Sequence, residues 1–360
     1  MSVVRLFSVF ATLLKVKLLQ DKPVVDNAIF RLHYRFTCVF FLAASLLATA
    51  IDFFGKPIDC VIDKGVPYAR ILNTYCWIQH TFTVPLDELQ ISPGVGPDSN
   101  EKRFHSYYQW VPFVLFFQGM LFYLPHWIWK RFENGIVGGL TAGARRFDLK
   151  GQDATFSRPL LSNYLNETIG THGHLGVAHV TCELFNLVNA IGNVYLIDLF
   201  LGGYFVDYGW KVLQQQSLDQ EDRRDHMIET FPRVTKCTFH SYGPSGGVQR
   251  HDALCVLPVN VINEKIYVFA WFWLVLLAIV SLFALLYRLV VMVSPAVRHL
   301  ALKRVGLTTC DQQSMVILSR RLPYPDCYLL ILLGKNLQVA VYRDLLDDLA
   351  HYLDHSHLNC

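Results

Sequence analysis

The segment Tyr107–Trp129, YYQWVPFVLFFQGMLFYLPHWIW, holds no charged residue, and Lys102 and Arg103 before it and Lys130 and Arg131 after it close it off. About 20 apolar residues are enough to carry a helix across the hydrocarbon core of a bilayer. Tyr107, Tyr108 and Trp110 at one end and Trp127 and Trp129 at the other are amphipathic rings of the kind that favour the two membrane–water interfaces. A helix buried in a soluble core shares the apolarity but has no need of both belts. This stretch commits the chain to a membrane.

Three further spans follow the same logic. The first runs from about Phe36 to Phe54 with Arg35 at its edge, the third from Leu175 to Leu201, and the fourth from Ile266 to Val293, interrupted only by Arg288. The chain is 52% hydrophobic and 17% charged, a membrane-protein balance, and its net charge of +3 gives no footing for a nucleic-acid partner. Residues 1–35 read as an N-terminal amphipathic segment. Within Val3–Leu19 an apolar run is followed by Lys15 and Lys17 and by no small-residue cleavage site, which fits a helix on a membrane or in a vestibule better than a signal peptide. The tail, 294–360, alternates charge with short apolar runs such as CYLLILLG and reads as a compact helical domain.

Within the spans, polar residues fall into two stripes. Thr37, Ser45, Thr49 and Asp52 share one helical face, which either lines a pore or packs small side chains against a neighbouring helix. Glu183, Asn186, Asn189 and Asn193 repeat at helical spacing in the third span. An unpartnered glutamate there costs roughly 2.5–3.5 kcal/mol on insertion scales, so burial between helices is expected. Pro112 and Pro125 are expected to bend the second span.

Four spans put both termini on one side, and Lys and Arg near the span ends are more numerous on that side, which assigns the termini to the cytoplasm. The loops 55–106 and 202–265 are then extracellular, the connection 130–174 is cytoplasmic, and the sequon Asn166-Glu167-Thr168 stays unmodified. Of nine cysteines, Cys60 and Cys76 lie in the first outer loop and Cys237 and Cys255 in the second, where an oxidising environment keeps disulfides. Four cysteines permit three pairings. The rival reading is a zinc site from Cys237-x2-His240 and His251-x3-Cys255. The expectation is an all-α polytopic protein, a four-helix transmembrane bundle with two disulfide-stapled extracellular loops and a helical cytoplasmic domain.

Tyr107-Tyr108-Gln109-Trp110-Val111 at the entry to the second span, PIDC ending at Cys60, NTYCWI around Cys76, FPRVTKCTF around Cys237 and HDALCVLPVNVINEKIYVFAWFW together make the sequence resemble the innexins, the invertebrate gap-junction proteins. Connexins carry three cysteines per loop, and pannexins lack YYQWV. The resemblance implies a ring of like or different innexin subunits in the plasma membrane at gap junctions. The N-terminal segment and the first span line its central pore, and its outer loops dock with the ring of an adjacent cell. It also implies disulfides between the loops, Cys60 with Cys255 and Cys76 with Cys237. The short tail puts tail-based regulation in doubt.

Other functions find less support. His351, His355 and His357 cluster, as do His172 and His174, but the several histidine boxes of a membrane desaturase are missing, and no Walker loop, GxGxxG or nucleophile elbow accompanies the spans. No catalytic, cofactor-binding or metal-binding set is expected, and the only non-protein partner is membrane lipid. An undocked hemichannel or a four-span adhesion protein without a pore are the alternatives to an intercellular channel.

Overall fold

The computed structural model describes residues 23–62, 69–84, 95, 102–145, 154–215, 226–305 and 311–355. The amphipathic run Val3–Leu19, His357, Cys310 and Cys360 lie outside the described residues.

Among the described residues, four helices are long and apolar enough to cross a membrane: α1 (Ala28–Phe54), α3 (Val111–Glu133), α6 (Gly173–Phe200) and α9 (Pro258–Val293). Between α1 and α3 come β1 (Asp59–Val61), α2 (Ala69–Ile78), β2 (Thr81–Thr83) and β3 (Arg103–His105). After α3 come α4 (Ile136–Arg145) and α5 (Ala154–Thr168); after α6 come α7 (Tyr208–Gln215), α8 (His226–Thr230), β4 (Val234–Tyr242) and β5 (Val248–Val256). The tail forms α10 (Pro295–Val305), α11 (Gln312–Arg321), α12 (Tyr324–Gly334) and α13 (Val339–His355). Only 22% of the most apolar window of α9 and 33% of that of α1 are covered within the chain, so most of that surface needs lipid or another subunit.

Two compact units divide these elements, with α3, α6 and α9 contributing residues to both. One unit holds residues 28–126 and 183–283. Its helical core is formed by Phe41, Ala44 and Ala48 of α1, Leu115 and Phe122 of α3, Ala190 and Ile197 of α6, and Ala270, Leu274 and Leu277 of α9. Small residues let these backbones approach: a side chain at Gly119 would press on Leu42. Phe41 and Phe122 stack with parallel rings, 5.6 Å between centroids.

The expectation of an all-helical fold needs correction, because this unit also carries a five-stranded antiparallel sheet in the order β1-β5-β4-β2-β3. Three of its strands are three residues long. Strands that short leave little alternating pattern, and the partner of β1 and one of the two partners of β2 lie more than a hundred residues away. Helix α1 begins at Ala28, ahead of Phe36, and α9 at Pro258, where proline suits a first helical turn. Pro112 sits in the first turn of α3 and removes no helical hydrogen bond; Pro125 alone is interior.

The other unit comprises the described residues within 23–27, 127–182 and 284–355. Its centre is α12, buried from Asp326 to Leu333 without a polar face, as expected of a helix surrounded by others. The Asp326 carboxylate accepts the Gly170 N–H at 2.7 Å and meets His172 Nδ1 at 2.8 Å. At the far end of α12, the Asn336 amide holds the Val24 backbone on both sides, Val24 N–H to Oδ1 and Nδ2–H to Val24 O.

Candidate functional site: the cross-linked sheet and the YYQWV segment

The sheet is woven from two distant stretches of chain, β1, β2 and β3 from the first loop and β4 and β5 from the second. Register brings Cys60 directly opposite Cys255 across the β1–β5 pair, and the two are bonded. Cys76, on α2, is bonded to Cys237 of β4. Both disulfides therefore join one loop to the other, closing 195 and 161 residues of sequence. Cross-links over such separations remove much freedom from the unfolded chain, roughly 2–4 kcal/mol each. Around the sulfurs pack Ile58, Leu72, Tyr108, Leu257 and Val259, and the Asn73 side chain accepts the Cys60 N–H at 2.9 Å.

The YYQWV segment ties this sheet to the membrane helices. Residues Tyr107–Gln109 form one 3-10 turn, and α3 starts only at Val111. Each residue has its own task. The Tyr107 hydroxyl donates to Thr230 O at 3.1 Å, and its ring meets Phe200 and Phe231 edge-on. Tyr108 is fully buried beside Trp77, among the cystines. The Gln109 amide donates to the carbonyl of Trp77, at the end of the helix that carries Cys76. Trp110 stays 62% exposed, as an interfacial ring would. Val111 is fully buried as the helix begins.

Two supports had escaped the sequence reading. Glu264, fully buried nearly two turns into α9, receives the Arg233 guanidinium at 2.8 Å and the Lys265 ammonium at 2.7 Å. The signal was present: Arg233 lies in FPRVTKCTF and Glu264 opens an apolar helix, yet nothing linear joins them. His105 on β3 sits against Thr83 Oγ1 at 2.8 Å. Burial, reinforced by the nearby Arg103 charge, pushes its imidazole down to about 4.

The two polar stripes separate. In the first, Thr37 is fully buried, donates to Leu32 O and receives the Trp273 indole; Ser45 is buried and donates to Pro112 O at 2.7 Å. Those two hydroxyls serve helix packing inside the subunit. Thr49 bonds back to Ser45 O, and Thr49 and Asp52 keep partial exposure. In the second stripe Glu183, Asn186, Asn189 and Asn193 are all buried. Asn189 donates to Leu121 O of α3 at 3.1 Å, and Asn193 donates to Asn189.

As for zinc, Cys237 and Cys255 spend their sulfurs on disulfides, and His251 is engaged with Ser241 at 2.8 Å. A cystine sulfur is not the thiolate that zinc requires.

With this geometry in view, comparison with known proteins is specific. Residues 26–353 match the family model described as Innexin. The chain is 42% identical to "Innexin inx3" of Drosophila melanogaster over 98% of this chain and 91% of that protein. It is 42% identical to "Innexin shaking-B" of the same fly over 92% of this chain and 91% of that protein. To "Innexin inx2" of Schistocerca americana it is 40% identical over 97% of this chain and 99% of that protein.

Proposed function

The chain belongs to the innexin family, and from that premise we propose how it makes a passage between cells. It is a gap-junction channel protein of the membrane and not an enzyme. In our reading the sheet and its cystines form the extracellular cap of each subunit, both termini stay in the cytoplasm, and like or different innexin subunits close a ring. Caps of two opposed rings dock.

The observation that supports this is the weaving of both loops into one cross-linked sheet. A docking face must hold its shape while it excludes solvent, and free loops would lose too much entropy on docking. Here strand pairing and two disulfides settle that cost during folding. The pore is assigned to the N-terminal segment and to the exposed face of α1, with Asp52 in its last turn as the charged member. A carboxylate ring at a pore favours cations.

The test is current between paired cells expressing the protein. We expect junctional conductance from the full chain and a lowered cation-to-anion permeability ratio in Asp52→Asn at unchanged surface expression. Cells that adhere without electrical coupling would reject the channel reading. Dye uptake by single cells without coupling of pairs would favour the undocked hemichannel.

A further inference from the structure

The two cystines are close enough to react with each other. The sulfurs of Cys60, Cys76 and Cys255 all lie within 4.8 Å of one another, while Cys237 is not part of that group. All four are buried, between 0 and 7% exposed, in one apolar cluster with Tyr108 and Leu72. We propose that these three sulfurs form an internal thiol–disulfide exchange site in which Cys76 is the attacking residue and the Cys60–Cys255 bond its substrate.

The chemistry requires only a thiolate and a neighbouring disulfide, with no net oxidation. When local opening of the sheet lets a small thiol such as glutathione reach and attack Cys237, which is 1% exposed in the closed fold, a Cys237–glutathione disulfide forms and Cys76 leaves as a thiolate. The Cys76 sulfur then attacks Cys255 or Cys60; one new bond to Cys76 forms, the Cys60–Cys255 bond breaks, and the displaced sulfur leaves as a thiolate and takes up a proton. The number of disulfides is unchanged by this second step. During folding the same step starts from a Cys76 that Cys237 has not yet reached. A change of rotamer at Cys76 moves its sulfur by more than a bond length, and the separation to be closed is no more than 4.8 Å.

Direction is decided by the sheet. Cys60 and Cys255 are register partners across β1–β5, so the native bond follows the hydrogen-bonded ladder, whereas a Cys76–Cys255 bond pulls against it. The site thus lets the two loops correct a misplaced cross-link from within. It is also asymmetric: Cys76 belongs to the trio and Cys237 does not.

That asymmetry is the test. Full-length Cys237→Ser and Cys76→Ser proteins in native membranes are alkylated at low pH and their disulfides mapped by mass spectrometry. We expect peptides linking Cys76 to Cys255 or Cys60 to be several-fold more abundant in Cys237→Ser than any rearranged Cys237 linkage in Cys76→Ser, which retains Cys60–Cys255. In parallel, folded wild-type protein is exposed to a low concentration of reduced glutathione. Glutathione on Cys237 together with a minor fraction of Cys76 cross-linked inside the trio is the expected product, and this arm needs no variant to fold. Complete absence of any Cys76 link to Cys60 or Cys255 in both arms would overturn the proposal, as would equal rearrangement in the two variants.

Discussion

The cross-linked sheet and the helical unit that contains the tail solve the same problem by different means. In the sheet, sulfur is oxidised and strands from two loops are held by bonds spanning 195 and 161 residues. Around α12, sulfur is reduced. Cys327 is buried there; burial foremost, with Asp326 adding to it against Arg298, pushes its thiol up to about 11, and the packing is carried by leucines and the His172–Asp326 contact. A short apolar helix can surround itself with other helices and needs no staple. Loops with three-residue strands bury too little to stand alone, so covalent closure supplies what the core lacks.

Breaking both staples is the strongest perturbation. Cys60→Ser combined with Cys76→Ser removes roughly 4–8 kcal/mol of constraint at about 2–4 kcal/mol per bond. Non-reducing electrophoresis should show the loss of both cross-links, and junctional current should vanish while the helical tail unit keeps its resistance to protease. The converse is Asp326→Ala, which strands the His172 ring nitrogen and the Gly170 N–H in the interior at a cost of about 1–3 kcal/mol for each group left unsatisfied. It should expose 294–355 to protease and leave both disulfides in place.

Subtler changes sharpen the contrast. Gln109→Ala leaves the half-buried Trp77 carbonyl without its donor, a loss of about 0.5–1.5 kcal/mol, seen as a lowered thermal midpoint of the sheet-bearing unit. Acid acts on the same unit through His105, which is held neutral in the fold. Because its folded pKa lies near 4 and its unfolded value near 6.5, the stabilisation is complete above pH 6.5 and is lost as pH falls towards 4. Between pH 7 and 5 that amounts to about 2 kcal/mol, and His105→Gln should flatten the dependence of the melting temperature on pH over that window. The smallest effect is chemical: Cys327 should resist alkylation at pH 8 until the tail unit is unfolded.

The sequence made one kind of structure plain and hid another. Helices α3 and α9 announce themselves because apolar length is a local property, and the buried stripe from Glu183 to Asn193 follows from helical spacing and the cost of an unpaired carboxylate in lipid. The sheet does not announce itself. Asp59–Val61 and Arg103–His105 are too short to alternate, and what makes them strands is β5 and β2 arriving from elsewhere in the chain. The YYQWV segment looked like the first turn of a span, and its aromatic residues justified that. Its real work, gripping Trp77, Thr230 and the cystine core, depends on partners that no spacing rule connects. Thr37 and Ser45 show the same limit: one helical face cannot tell a lumen from a neighbouring helix.

The central claim, that two loop-to-loop cross-links make a cap able to join cells, is tested most directly by recording between paired cells expressing Cys60→Ser. With surface expression matched to the full chain, the account predicts that junctional current is abolished. Junctional current equal to that of the unsubstituted protein would contradict it.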